Sequence, residues 1–323
     1  MKPKVTIGYH ASHEQFSPGM LLGLARKAED AGFGALLSSD HFNPWTSAQG
    51  ESGFSWAWLG AALQATSLPA GVVCTPGYRY HPAIVAQAAA TLAGMLPGRF
   101  WIAIGTGQAE SEGICGEAWP PKSERNDRLF ASATIMRSLW AGETVTTAAP
   151  VRTVEARLHT RPTQPPLLLG AALTPATAEW LGGWADGLIT VAMQKDDLAE
   201  VVEAFRHGGG EGKPMYLKVD LSYARTDEEA RSGAWDQWRA NVYPAAVLEN
   251  LRTPGEFEAL EDLAGPRMVF EKIRISADPK DHVRWLRTDI DLGFTHLYLH
   301  NVNRNQETFI EDFGNEVLPE IFG

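Results

Sequence analysis

Short apolar runs and amphipathic stretches alternate along most of this chain. The runs are rich in β-branched and aromatic residues and read as strands. The stretches between them repeat apolar residues at helical spacing. The first strand is predicted over Val5–Tyr9. Pro18–Ala31 reads as a helix, with Leu21, Leu22, Leu24 and Ala25 on one side and a stop at Gly32. Strand Ala35–Ser38 precedes helix Phe54–Thr66, and strand Ala70–Val73 precedes helix Pro82–Leu96, which opens on its proline. Strand Phe100–Ile104 leads to helix Ser123–Trp140, and strand Pro166–Leu169 to helix Pro175–Leu181. Strand Leu188–Val191 leads to helix Leu198–His207, closed by Gly208, Gly209 and Gly210. Strand Tyr216–Tyr223 is followed by Asp227–Trp238. A helix near Lys280–Leu292, the strand His296–His300 and a terminal helix near Glu307–Leu318 complete the series.

Strand–helix alternation implies a parallel sheet, and eight units imply a (β/α)8 barrel rather than a doubly wound sheet. Two segments fall outside the repeat. Gly142–Arg161 reads as a polar extension or hairpin, with Thr144–Thr147 and Val151–Ala156 as its arms, and Ala240–Ile275 reads as an insertion. The expectation is one barrel domain over residues 1–323, with insertions near 142–161 and 240–275 and no linker.

Composition narrows the class. Of 323 residues, 44% are hydrophobic and 21% charged, enough to bury a full core. Lys+Arg is 28 against Asp+Glu 39, a net charge of −11, which argues against a nucleic-acid-coating protein. Two cysteines, Cys74 and Cys115, exclude a disulfide scaffold and suit a reducing cytosol. Neither a signal peptide nor a membrane span is read, so a cytoplasmic location is expected. The 11 Trp leave room for a flat pocket or an apolar dimer interface.

In a barrel, chemistry gathers in the loops after the strands. Asp40-His41 closes the second strand, and a histidine there can move a proton. Trp45 is a candidate pocket wall. His10, His13, Asp40 and His41 are metal-ligand types on adjacent loops, but neither H-x-H nor H-E-x-x-H is present and no metal is expected. Glu14, Glu110 and Glu112 are acids in the same loops, and Glu110 reads as a solvated loop charge. Cys74 reads as a buried small residue. Gly105-Thr106-Gly107 lacks the third glycine of a dinucleotide fingerprint, with Glu110 in its place, and reads as a tight turn against a flat ligand. Gly212-Lys213 fails as a phosphate loop, because His207 and Pro214 stand where glycine and Ser or Thr are needed. Gly170-Ala171-Ala172-Leu173-Thr174-Pro175 places small residues, a cap and a proline before a helix. That is either an ordinary capped helix or a phosphate site.

Taken together, several loops resemble a known family. They are Gly8–Phe16, Ser39–Trp45, Thr75-Pro76 with Arg79-Tyr80-His81-Pro82, and Gly105-Thr106-Gly107. These resemble the bacterial luciferase-like flavin oxidoreductases, on the side of the F420-dependent glucose-6-phosphate dehydrogenases. They look most like a sub-branch that reverted from F420 to an ordinary flavin. The resemblance implies a flavin across the barrel mouth, with Asp40 and His41 at its ring and His41 handling a proton. It puts Trp45 and Glu14 on the substrate side, Thr75 and Gly107 near the cofactor, and a cis peptide at Val72–Val73 under the ring. It gives the flavin phosphate to Gly170, Ala171, Ala172, Leu173 and Thr174.

Two departures bear on activity. The resemblance implies a proton-transferring Glu where this chain has Gln108, which cannot donate or accept a proton near neutral pH. Ser111 stands where a ring-contacting Asn would be, and Glu110 replaces an apolar residue. Of three cations that would hold a sugar phosphate, Gln194 and the region of Ala259 replace two and Lys272 matches the third. Glucose 6-phosphate is therefore not carried over. The expected activity is hydride transfer between a small alcohol or sugar-like molecule and FMN, with coenzyme F420 as the alternative. Rival readings are a monooxygenase fed with reduced FMN by a flavin reductase, a metal-dependent barrel hydrolase, and a non-catalytic flavin-binding protein. A homodimer is expected by analogy.

Overall fold

Eight strands pair only in parallel, as their separation by helices requires. The computed structural model describes residues 5–323. The strands are β1 (Thr6–Ala11), β2 (Ala35–Ser39), β3 (Ala70–Cys74), β4 (Phe100–Ile104), β5 (Leu167–Ala171), β6 (Gly187–Val191), β7 (Met215–Ser222) and β8 (His296–Asn301). They hydrogen-bond in chain order, and β8 pairs back onto β1, so the sheet closes. The (β/α)8 barrel expected from the alternation is thus the fold. The outer layer runs from α1 (Pro18–Asp30) through α2 (Ser55–Ala65), α3 (Pro82–Met95), α4 (Lys122–Ala141), α5 (Pro175–Gly182), α6 (Lys195–Phe205) and α7 (Asp227–Trp238) to α8 (Pro279–Asp291). Local chemistry starts these helices. Ser17, Thr174, Thr226 and Asp278 each accept a backbone N–H of the first turn, and proline opens α1, α3, α5 and α8.

Alternate residues of each strand face opposite ways. Ile7, Tyr9, Ile102, Ile104, Leu217 and Leu299 point out and pack with the helices in the large core. Leu37, Trp101, Ala103, Leu169, Ile189, Tyr216 and Tyr298 point in and fill the barrel. Trp101 is the wedge, its ring 5.0 Å from Tyr216 and 5.5 Å from Tyr298. Glycine makes the room: a methyl at Gly71 would overlap the Trp101 indole, and one at Gly8 would overlap Tyr298. Toward the C-terminal ends the same inward rows turn polar, with His10, Ser39, Asp220 and His300.

The cis bond expected at Val72–Val73 is not formed; among the described residues the cis peptide is Ala149–Pro150. Both valines keep parallel register with Ser38 and Ser39 on one side and Ile102 and Ala103 on the other. A regular ladder on both edges leaves nothing to offset the roughly 3 kcal/mol that a non-proline cis bond costs.

The segment after α4 forms a small antiparallel pair, Val145–Thr147 with Thr153–Ala156. Residues between α7 and α8 form three short helices, Ala245–Leu248, Pro254–Glu261 and Pro266–Lys272, over a separate apolar cluster built on Trp238, Val242, Val269 and Ile273. No helix among the described residues is long and apolar enough to cross a membrane.

The Gly71–Trp101 contact can be tested by a double-mutant cycle. Gly71→Ala should cost about 2 kcal/mol in urea unfolding, typical of overpacking. In a Trp101→Ala background the same change should cost almost nothing.

Candidate active site

Four consecutive strands deliver their following loops to one patch at the barrel mouth. Immediately after β1, Ser12, His13, Glu14 and Gln15 are buried. The loop after β2 brings Asp40, His41 and Trp45. Glu14 and His41 form an ion pair through Glu14 Oε1 and His41 Nδ1. Ser12 Oγ donates to the other Glu14 oxygen at 2.8 Å. The indole of Trp45 lies 4.7 Å from the imidazole and is itself held 5.3 Å from Phe257 of the insertion. Three of the four predicted catalytic side chains therefore stand together. Nδ1 is committed to Glu14, while the His41 side chain keeps 25% of its exposure, so Nε2 is its available ring atom.

Electrostatics follow from burial and this pairing. Burial pushes Glu14 up, but the hydrogen bond and charge of His41 outweigh it and bring the carboxyl down to about 2. Burial pushes His41 down. The Glu14 bond and charge, helped by Glu110, outweigh that and raise it above the ordinary histidine value.

A second cluster lies beside the first. Asp40 is buried, and Arg79 donates to its main-chain oxygen at 2.6 Å and to Oδ2 at 3.2 Å. The Tyr80 hydroxyl approaches Oδ1 at 3.4 Å. Glu112 accepts the Arg79 backbone N–H at 3.1 Å. Burial raises Asp40 despite Arg79, and it lifts Glu112 to about 7. Gly107 adopts φ +78°, and a Cβ there would lie 2.8 Å from Thr75 and 2.9 Å from Glu112. Only glycine fits that turn. Gln108 follows at the cap of the one-turn helix Ala109–Glu112, and its main-chain oxygen accepts from Glu112 N at 3.0 Å.

Glu110 is not the solvated charge that the sequence suggested. It is fully buried, because the loop after β2 folds over it. Its carboxylate accepts from Asn43 N at 2.9 Å and from Ser111 Oγ at 2.6 Å, and Ser111 Oγ accepts from Phe42 N at 2.9 Å.

The remaining sequence candidates are more dispersed. Val72 packs outward against the helices, whereas Val73 faces the barrel interior. Gly170 and Ala171 still belong to β5, and a methyl on Gly170 would strike Leu181 of α5. Ala172 N is taken by Ile189 O at 3.1 Å, Leu173 is exposed, and Thr174 caps α5. The metal arrangement is not assembled. His10 pairs with Ser39, His13 with Ser38 and His41 with Glu14. No group of three or more His, Cys, Asp or Glu among the described residues is placed to hold an ion.

One network escaped the sequence reading. His300 Nδ1 bonds Asp220 Oδ1 at 2.8 Å, Lys218 pairs with the same oxygen, and His300 Nε2 bonds Gln15 Oε1 at 3.0 Å. The His10 ring lies 4.6 Å from that of His300, and its Nδ1 is buried without a partner. The available signal was polar residues on one face of each strand, Lys218 and Asp220 two apart in β7 and His296 and His300 either side of Tyr298 in β8.

Comparison with known proteins places the whole chain in a family. The luciferase-like monooxygenase family model matches residues 4–296. An F420-dependent glucose-6-phosphate dehydrogenase of Nakamurella multipartita is 35% identical, over 99% of this chain and 97% of that protein. An F420-dependent hydroxymycolic acid dehydrogenase of Mycobacterium tuberculosis is 33% identical, over 98% of this chain and 88% of that protein. The structure of an F420-dependent secondary alcohol dehydrogenase, in complex with an F420-acetone adduct, superimposes with a TM-score of 0.90. It is 29% identical and covers 98% of this chain and 99% of that one. A barrel with this mouth and these full-length relatives belongs to the luciferase-like monooxygenase family, and this chain is one of its oxidoreductases.

Proposed function

We propose that this chain is an F420-dependent dehydrogenase that oxidises an alcohol group of a small organic molecule, or reduces the matching carbonyl. The observation that carries the reading is the His41–Glu14 pair beside Trp45 at the mouth, with His41 Nε2 unclaimed. The full-length relatives named for F420 move the cofactor choice from FMN, which the loop resemblance favoured, to the deazaflavin.

The residues present fit a flat ring system. Gly107 keeps the turn after β4 free of a Cβ, and the β3–β4 loops meet there through Thr75. Asp40, Thr75, Gly107 and Gln108 are the groups assigned to the ring, and Ala172 to Thr174 to the phosphate. The bound cofactor supplies the hydride acceptor. The chain supplies proton handling and position. The Glu14 carboxylate accepts a hydrogen bond from His41 Nδ1–H and so keeps the proton on that nitrogen, which leaves Nε2 as the base for the substrate hydroxyl. In the reverse direction the same imidazolium donates to the carbonyl oxygen. Trp45 sets the ring plane of His41 and excludes water from one side. Gln108 takes no part in proton transfer and serves as a hydrogen-bonding neighbour. With the substrate as hydride source, no flavin reductase is required.

The test is cofactor binding followed by turnover. Titration should show F420 binding at micromolar concentration, and secondary alcohols should reduce it. Binding of FMN alone, or release of FMN from protein purified from its source, would overturn the assignment. His41→Ala should lower kcat at least about 100-fold.

The pH dependence has a defined sign. Oxidation needs neutral His41, so kcat/KM should rise with pH through a pKa above the ordinary histidine value. Carbonyl reduction needs the imidazolium, so it should fall through the same pKa. Glu14→Gln removes the charge that raises His41, and both limbs should move to lower pH by about one to two units.

A further inference from the structure

The acid two residues beyond Gln108 is buried against the loop that carries His41. Glu110 Oε1 accepts the Asn43 N–H at 2.9 Å, and its main-chain oxygen accepts Asn43 Nδ2 at 3.2 Å. Ser111 Oγ bridges, accepting from Phe42 N at 2.9 Å and donating to Glu110 Oε2 at 2.6 Å. Three hydrogen bonds thus tie the one-turn helix Ala109–Glu112 to the two residues directly after His41, and the Ser111–Glu110 bond braces them from within the helix. Glu110 is wholly buried, yet no arginine or lysine bonds its carboxylate. Burial raises this carboxyl above the ordinary glutamate value, and His41 and the hydrogen bonds from Ser111 and Asn43 N, which favour the ionised form, work against that.

We propose that Glu110 is a positioning residue of the active site, one that fixes the backbone of the His41 loop and sets a negative charge beside the imidazole. A buried anion without a cation of its own is costly unless a partial or full positive charge lies nearby. The Asn43 N–H supplies the first and the His41 imidazolium the second. The carboxylate therefore favours the protonated histidine and holds its loop in one conformation. The other titratable and charged groups facing His41 are Glu14 and His13 from the loop after β1, Arg79 from the loop after β3, and its own neighbour Asp40. Glu14 and Asp40 act in the same sense as Glu110 and Arg79 acts against it, while burial brings His13 down to about 4 and leaves it neutral where His41 titrates. Removing Glu110 leaves the Glu14 ion pair in place, so the two acids can be separated by experiment.

The experiment is an NMR titration of the full chain with labelled histidine, the His41 resonance being identified by its loss in His41→Gln. Glu110→Gln keeps an oxygen for Asn43 N and removes the charge. Its His41 midpoint should fall by about one pH unit relative to wild type. Glu110→Asp keeps the charge but shortens the reach, and should lower the midpoint by less. A Glu110→Gln midpoint equal to wild type would overturn the proposal. If that variant does not fold, an unmoved midpoint in Glu110→Asp does so instead. The role in turnover rests on the proposed proton chemistry of His41, and the titration needs no turnover. A shifted midpoint with an unshifted pH–rate profile therefore supports the placement of Glu110 and counts against His41 as the proton-handling group.

Discussion

Too many carboxylates share a dry barrel mouth. Glu14, Asp40, Glu110 and Glu112 are all buried there, and two cationic groups answer them. His41 stands between Glu14 and Glu110, and Arg79 between Asp40 and Glu112. Removing one partner of such a buried set leaves an uncompensated charge, so the loops after β1, β2, β3 and β4 are held to one another by necessity. The shape of the site is a solution to that crowding. Burial still lifts Glu112 to about 7 against the pull of Arg79, so the compensation is incomplete there.

Most of the fold could be read from the residues because a parallel strand buried on both faces is an apolar run, and each run here ends at a glycine, a proline or a polar loop. The reading stopped short at the strand tips. Ser39, Cys74 and Ala171 continue the ladders beyond the apolar stretch, since a neighbouring strand bonds backbone whatever the side chain. The helix Ala109–Glu112 is too short to show a period. The helices between 245 and 272 pack only part of one face, and their sequence looks like polar insertion. At Val72–Val73 the family resemblance pointed to a cis bond that the regular register of β3 does not contain.

The site was legible where chemistry follows directly on a strand end. His41, Glu14 and Trp45 stand a few residues past β2 and β1, and barrel geometry alone brings them near one another. Glu110 was misread because an acid in a loop, with Glu112 two residues on, looks like a solvated charge. What buries it is Phe42 and Asn43, nearly seventy residues earlier in the chain. The Lys218–Asp220–His300 network was missed for a similar reason. Alternating polar residues in a strand read as a face toward water, and only closure of the barrel turns them inward.

The insertion grips the site from outside. Phe257 supports the Trp45 indole, Glu258 accepts the backbone N–H of Ser47 at 2.7 Å, and the Glu249 carbonyl accepts Ala109 N at 3.0 Å. It therefore touches both the loop that bears His41 and the helix that bears Glu110, while adding to the sheet only the two-residue strand Arg274–Ile275 beside β7. A barrel spends its sequence on closure, and such a segment does not. On the proposed reading, divergence in these few helices would reshape which molecule fits against Trp45 and leave the His41–Glu14 pair beneath unaltered. Under the proposed function, catalysis and selectivity are thus housed in parts of the chain free to evolve at different rates.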